Sequence, residues 1–193
     1  MLENILTKRN CSLKVKLTVK GLVSVGLIAL AVILPQLVHL ALGAPGGVAW
    51  LPMYAPVLLG GCLLGTYWGL GIGIASPVVS FLITLAFGNP MPMAARLPFM
   101  MAELAVFAGI SGLFTKKISQ NGWLAFPAVL IAQISGRAVF MLLVVIFQGV
   151  APFAPAAIWA QIQAGLLGLI VQALLVPLAV MGLKILLDRG KND

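Results

Sequence analysis

The chain has 193 residues, of which 62% are hydrophobic and only 8% charged, with a mean hydropathy of +1.14 and a formal net charge of +8. A water-soluble domain carries roughly 25% charged residues, so a soluble enzyme, a nucleic-acid binder and a disordered tail are excluded. The expected fold class is all-α: one polytopic membrane domain, with room for about five to seven crossings of about 20 residues each.

Residues 1–20 form a polar leader with Lys8, Arg9, Lys14, Lys16 and Lys20, and Lys14 to Lys20 suit the amphipathic start of a helix on an anionic leaflet. The first apolar run is Gly21 to Leu42. It is longer than the roughly 7–15-residue core of a signal peptide, and Pro45 would follow a cut after Gly43-Ala44. A retained helix kinked near Pro35 is expected instead. Gly43 to Trp50 reads as an uncharged loop, and the next run, Pro52 to Leu64, is short for a full crossing. Gly65-Thr66-Tyr67 reads as a tight turn before a third run, Trp68 to Phe87. Gly88 to Pro92 breaks the chain, and a fourth run from Ala94 to Phe114 ends at Lys116-Lys117. The fifth run is Trp123 to Phe147, a proline-rich loop covers Gly149 to Pro155, and the sixth runs from Ala156 to Leu187.

Charge placement sets the expected orientation. The leader, the Lys116-Lys117 pair and Lys184, Arg189 and Lys191 put ten of the twelve basic residues on one side, whereas the segments 43–50, 88–93 and 148–157 carry no charge. Basic residues mark cytoplasmic segments. The expected topology is therefore six transmembrane helices over 21–187, with the leader 1–20 and the tail 188–193 both cytoplasmic, in a multi-pass plasma-membrane protein.

Apart from Lys184 near the end of the sixth run, the charged residues within the runs are Arg96, Glu103 and Arg137. A charge near the bilayer centre costs at least about 2.5–3.5 kcal/mol on insertion scales, so each needs a partner or a wet cavity. Glu103 and Arg137 lie at similar depth. Either they pair with each other, or one of them faces a ligand. Arg96 lies nearer the outer end, where it either snorkels to the headgroups or grips an anionic or polar solute. Arg96, Met100 and Glu103 share one helical face, as do Gln133 and Arg137. With Asn89, Trp159, Gln161 and Gln163 they are candidates to ring an outward-open pocket. His39 is the single histidine, so a metal site is not expected, and it reads as a hydrogen-bonded structural or pocket residue. Cys11 lies in the basic leader and Cys62 in an apolar run, so no disulfide is expected between them. No HExxH, GxSxG or GxxxxGK[ST] motif occurs, so no enzyme activity, ATP hydrolysis by that route or resident cofactor is expected. Gly61, Gly65, Gly69 and Gly73 recur every four residues. Such a row either packs a compact bundle or docks another membrane protein.

The stretch LPMYAPVLLGGCLLGTYWGLGIGIASPVVSFLITLAFGNPMPM over 51–93, with AVILPQLVHL at 31–40 and MMAELAVFAGISGLF at 100–114, resembles the substrate-binding S components of energy-coupling-factor vitamin transporters. The similarity covers most of residues 17–145. It implies a six-helix subunit that captures a vitamin or related micronutrient outside and works with a transmembrane coupling subunit and two cytoplasmic ATPases. It further implies a pocket lined by the loop after helix one, the 88–93 loop and the outer halves of helices four to six, which adds Trp50, Tyr54 and Met93 to the candidates. The family docks its coupling subunit through small residues of the first three helices, including an AxxxA on helix one. This chain lacks a clean AxxxA there, leaving Gly21, Gly26, Ala29 and the glycines of 61–73 for that role. A stand-alone small-solute carrier or channel and a structural membrane scaffold are the alternatives.

Overall fold

In a computed structural model of the protein, residues 1–2, 6–7, 12–147 and 155–189 are described. Lys8, Arg9, Cys11, the segment 149–154 of the proline-rich loop and Lys191 lie outside them. The described residues are helical with no strand, and six helices are long and apolar enough to span a membrane.

Helix α1 covers Leu13–Trp50 and is capped by Ser12, whose side chain accepts from the Val15 N–H at 3.4 Å. It starts among the lysines rather than at Gly21. The helix breaks at Gly43, whose φ of 70° and ψ of −172° are open essentially only to glycine. Around this break Gly46 comes against Leu42 and Gly47 against His39. The first crossing is Leu13–Gly43, and the second begins already at Gly46 and runs to Leu64. The expected loop 43–50 is therefore largely helix, and the second run, extended by these residues, is long enough to cross.

A second break follows at Leu51, in the left-handed region at φ 48°, before α2, Tyr54–Leu64. The carbonyls freed there are claimed from afar: Gln172 donates from Nε2 to Trp50 O and to Leu51 O, both at 2.9 Å. Gln172 is only 4% exposed, and although Leu51 O keeps a second bond from the Tyr54 N–H at 3.1 Å, losing the amide removes two hydrogen bonds at this junction. Gln172→Leu is expected to lower stability by about 1–3 kcal/mol. A thermal unfolding midpoint equal to that of the parent protein would refute this role.

Gly65, at φ 93°, joins α2 to α3, Thr66–Ala86. A short 3-10 turn, Ala94–Arg96, opens α4, Leu97–Leu113, and α5 is a short helix over Thr115–Gln120. A second 3-10 turn at Gly122–Leu124 leads into α6, Ala125–Ile146. The expected sixth run is two helices, α7 over Pro155–Ala164 and α8 over Leu166–Arg189, of which α8 supplies the sixth crossing. A continuous helix over 156–187 would be about 48 Å long at 1.5 Å per residue, against about 30 Å of hydrocarbon. The break at Gly165 divides that excess length.

The second crossing is the centre of the bundle: 61% of its apolar window is buried, against 28% for the first and the sixth. Val57, Leu58, Leu104, Phe107, Ala108 and Val129 are fully buried around it. Outward, Leu22, Val25, Leu40, Ile134 and Ile170 are exposed, as a lipid-facing surface requires.

The glycine row of 61–73 is used inside this bundle. A side chain at Gly61 would run into Ser111 and the Ala108 carbonyl, at Gly69 into the Ala108 carbonyl, and at Gly73 into the Leu104 carbonyl. Gly61, Gly69 and Gly73 are buried, so they hold α2 and α3 against α4 and are not free to dock a partner. Gly65 serves the turn. Gly26 and Ala29, by contrast, are exposed on α1, and nothing lies within 4 Å of a Cβ placed at Gly21 or Gly26.

The lysines gather at one end. Lys184 donates to Gln120 O at 3.0 Å beside the Lys116-Lys117 turn, and the Met1 amino group donates to Leu63 O at 3.1 Å. The opposite end holds the breaks at Gly43 and Leu51 and the 88–93 loop.

Candidate functional site

The 88–93 loop is fixed by hydroxyls of the last turns of α3. Thr84 Oγ1 accepts from the Met91 N–H at 2.7 Å, and Ser80 Oγ donates to Met91 O at 2.9 Å. The Asn89 N–H reaches Thr84 O at 3.1 Å. Gly88 takes a φ of 75° to start the loop, and the loop thereby folds back over the end of the bundle rather than away from it.

Between this loop, the outer part of α1, the break at Leu51–Met53 and the start of α4 lies a cavity of about 380 Å³, within the roughly 300–1,000 Å³ typical of small-molecule sites. Of the thirteen residues expected in a pocket, His39, Tyr54, Asn89, Met93, Arg96, Met100 and Gln161 line it. Its wall also includes Gln36, Met53, Ser80, Met91 and Phe140. Gln36 carried a signal that went unused: it stands three residues before His39 and so shares its helical face.

The other six candidates lie off the wall. Trp50, Trp159 and Gln163 are exposed. Gln133 is buried and donates to Leu169 O at 3.2 Å, which ties α6 to α8. Glu103 and Arg137 are not in the cavity lining, but Tyr54, which is, contacts both of them.

Those three residues form one buried cluster. Arg137 Nη1 approaches Glu103 Oε1 at 3.0 Å, and the Tyr54 hydroxyl donates to Glu103 Oε2 at 2.8 Å. The Arg137 guanidinium also stands 5.1 Å from the centre of the Tyr54 ring, and Phe107 meets that ring edge-on at 5.1 Å. Glu103 is wholly buried and Arg137 nearly so. Both carboxylate oxygens are thus engaged, one by a cation and one by a hydroxyl, which is what a buried carboxylate requires. Of the two readings left open by the sequence, the geometry is that of the internal pair. Tyr54, the third member, gave no sign of it, because a tyrosine near a helix start has many ordinary uses.

Gly136 leaves room for the Phe107 ring, which a side chain there would strike. Val57, Leu58, Leu104 and Phe107 are fully buried and none of them lines the cavity. Among the described residues no group of three or more His, Cys, Asp or Glu side chains is placed to hold a metal ion.

No protein-family model, no curated protein and no solved structure matches the chain. Among the described residues, fold and site define an all-α protein with six helices long and apolar enough to span a membrane and a cavity of metabolite size.

Proposed function

We propose that this protein is the substrate-binding S component of an energy-coupling-factor importer in the plasma membrane. It captures a vitamin or related micronutrient and delivers it together with a transmembrane coupling subunit and two cytoplasmic ATPases. The lysine-rich end is cytoplasmic, following the positive-inside bias, and the cavity then opens outward.

The observation that carries this reading is a cavity of about 380 Å³ at the end of the bundle away from the lysines, while the fully buried Val57, Leu58, Leu104 and Phe107 form none of its lining. A stand-alone channel needs a path across the whole bundle. A capture subunit needs only a pocket at one end, because its partners supply the movement that exposes the solute on the other side. The open face of α1 around Gly21, Gly26 and Ala29 supports the same reading, since small residues permit close approach of a partner helix.

The test is a thermal-shift panel of water-soluble vitamins on the purified protein, followed by uptake into proteoliposomes. Binding by the isolated protein is expected, with uptake only when the coupling subunit, the ATPases and ATP are present. Uptake by the protein alone, at the rate of the full complex, would sink the proposal.

A further inference from the structure

We propose that the groove between α1 and α3 near the lysine end holds an anionic phospholipid, with one acyl chain in the groove and the phosphate at the lysines above it. The site lies at the opposite end from the solute cavity and does not depend on how that cavity is read.

The groove has a volume of about 370 Å³ and is lined by Ser24 and Ile28 of α1 and by Tyr67, Trp68, Gly71 and Ile72 of α3. Gly71 forms an open floor: it is exposed, and nothing lies within 4 Å of a Cβ placed on it. Ser24 has already given its hydroxyl hydrogen to Lys20 O at 2.8 Å, so the wall meets an occupant mainly with aliphatic and aromatic carbon. Along α1 the groove is short. Ser24 and Ile28 are one turn apart, about 6 Å, whereas a helix with its side chains is about 10–12 Å across. A hydrocarbon chain is slimmer and fits the slot.

The groove also lies where a lipid changes from chain to headgroup. Gly65 and Thr66, just before Tyr67, pack against Gly112, four residues ahead of Lys116. Tyr67 is 90% exposed, and tyrosine and tryptophan are enriched at the boundary between hydrocarbon and headgroups. On α1, Lys16, Lys20, Ser24 and Ile28 follow at four-residue spacing, so the groove points along one face toward the lysines.

Charge selects the headgroup. Residues 1–20, 116–117 and 184–193 hold ten basic and three acidic residues, so this end stays positive even with every acid paired to a base. Lys16 donates from Nζ to the Thr7 hydroxyl at 3.1 Å, a neutral partner that takes one of the three ammonium donors. Lys14 is exposed. Lys16 stands two turns, about 12 Å, beyond Ser24, and a headgroup layer about 5–8 Å thick covers each face of the hydrocarbon. A lipid with its chain against Ser24 and Ile28 therefore has its phosphate within reach of the Lys16 side chain. Basic residues at this level attract anionic lipids, whereas a zwitterionic headgroup brings a cation of its own to the same lysines.

The test is native mass spectrometry of the intact protein in non-ionic detergent, titrated with dioleoyl phosphatidylglycerol or dioleoyl phosphatidylcholine. One phosphatidylglycerol is expected to bind, at least about tenfold more tightly than phosphatidylcholine. The double variant Lys14→Gln, Lys16→Gln is expected to lose that preference. Gly71→Leu, whose side chain would occupy the slot, is expected to weaken both lipids by a similar factor. Lys184→Gln, at the same end but tied to Gln120 O, is expected to change neither. The lipid-free unfolding midpoint of each variant shows that it is folded. Equal binding of the two lipids, a preference that survives in the double lysine variant, or unchanged affinities in Gly71→Leu would each overturn the proposal. A dimer of the parent protein that Gly71→Leu dissolves would assign the groove to a second copy and overturn it as well.

Discussion

Glu103→Gln is expected to destabilise the protein by about 3–5 kcal/mol, because removing one member of a buried ion pair leaves the other charge unanswered. Glu103 is fully buried and its Oε1 lies 3.0 Å from Arg137 Nη1. The amide that replaces it can still accept from Tyr54, so the loss isolates the charge rather than the hydrogen bond. A second substitution, Arg137→Met, is expected to restore most of the stability, since an apolar replacement of the whole pair is often neutral or better. Unfolding followed by tryptophan fluorescence, together with the yield of monodisperse protein, measures both steps. A single variant as stable as the parent would show that the pair contributes nothing.

The second large effect separates two glycines that look alike in sequence. Alanine in place of a mid-helix glycine ordinarily gains roughly 0.5–1 kcal/mol. At Gly26, with nothing within 4 Å of the added carbon, Gly26→Ala is expected to leave the unfolding midpoint unchanged or to raise it. At Gly73 the same carbon would stand 2.5 Å from the Leu104 carbonyl oxygen and 2.7 Å from its carbon. Both are backbone atoms that cannot swing aside, so α3 and α4 must separate. Overpacking of this kind costs typically about 1–3 kcal/mol, and Gly73→Ala is expected to destabilise by an amount in that range. Equal midpoints for the two variants would contradict the assignment of the 61–73 row to internal packing.

The six helices long and apolar enough to span a membrane were legible because they rest on composition, which survives without any knowledge of packing. The Glu103–Arg137 pair was half legible: two opposite charges at similar depth suit each other, but the sequence left a ligand-facing role for either of them open. Tyr54 was not legible, since nothing in its neighbourhood says that its hydroxyl points toward a residue 49 positions away. The helix breaks were half legible. Gly43 and Gly165 are visible as glycines, but so are Gly21, Gly26 and Gly71, and only contacts distant in the chain decide which of them bends. Gln161 and Asn89 were read as pocket residues and line the cavity, whereas Gln133 and Gln163 were read the same way and do not. A helical wheel places a side chain on a face but does not say which neighbour covers that face.

Gln172 and Gly168 lie one turn apart on the same face of α8, and both meet the end of α1. Gly168 leaves space for the Ala49 and Trp50 carbonyls, while Gln172 donates to the carbonyls of Trp50 and Leu51. Helix α8 thus fastens the junction between α1 and α2 from more than 100 residues further along the chain. A polypeptide ending before residue 168 would lack both the glycine that makes room for this junction and the amide that ties it.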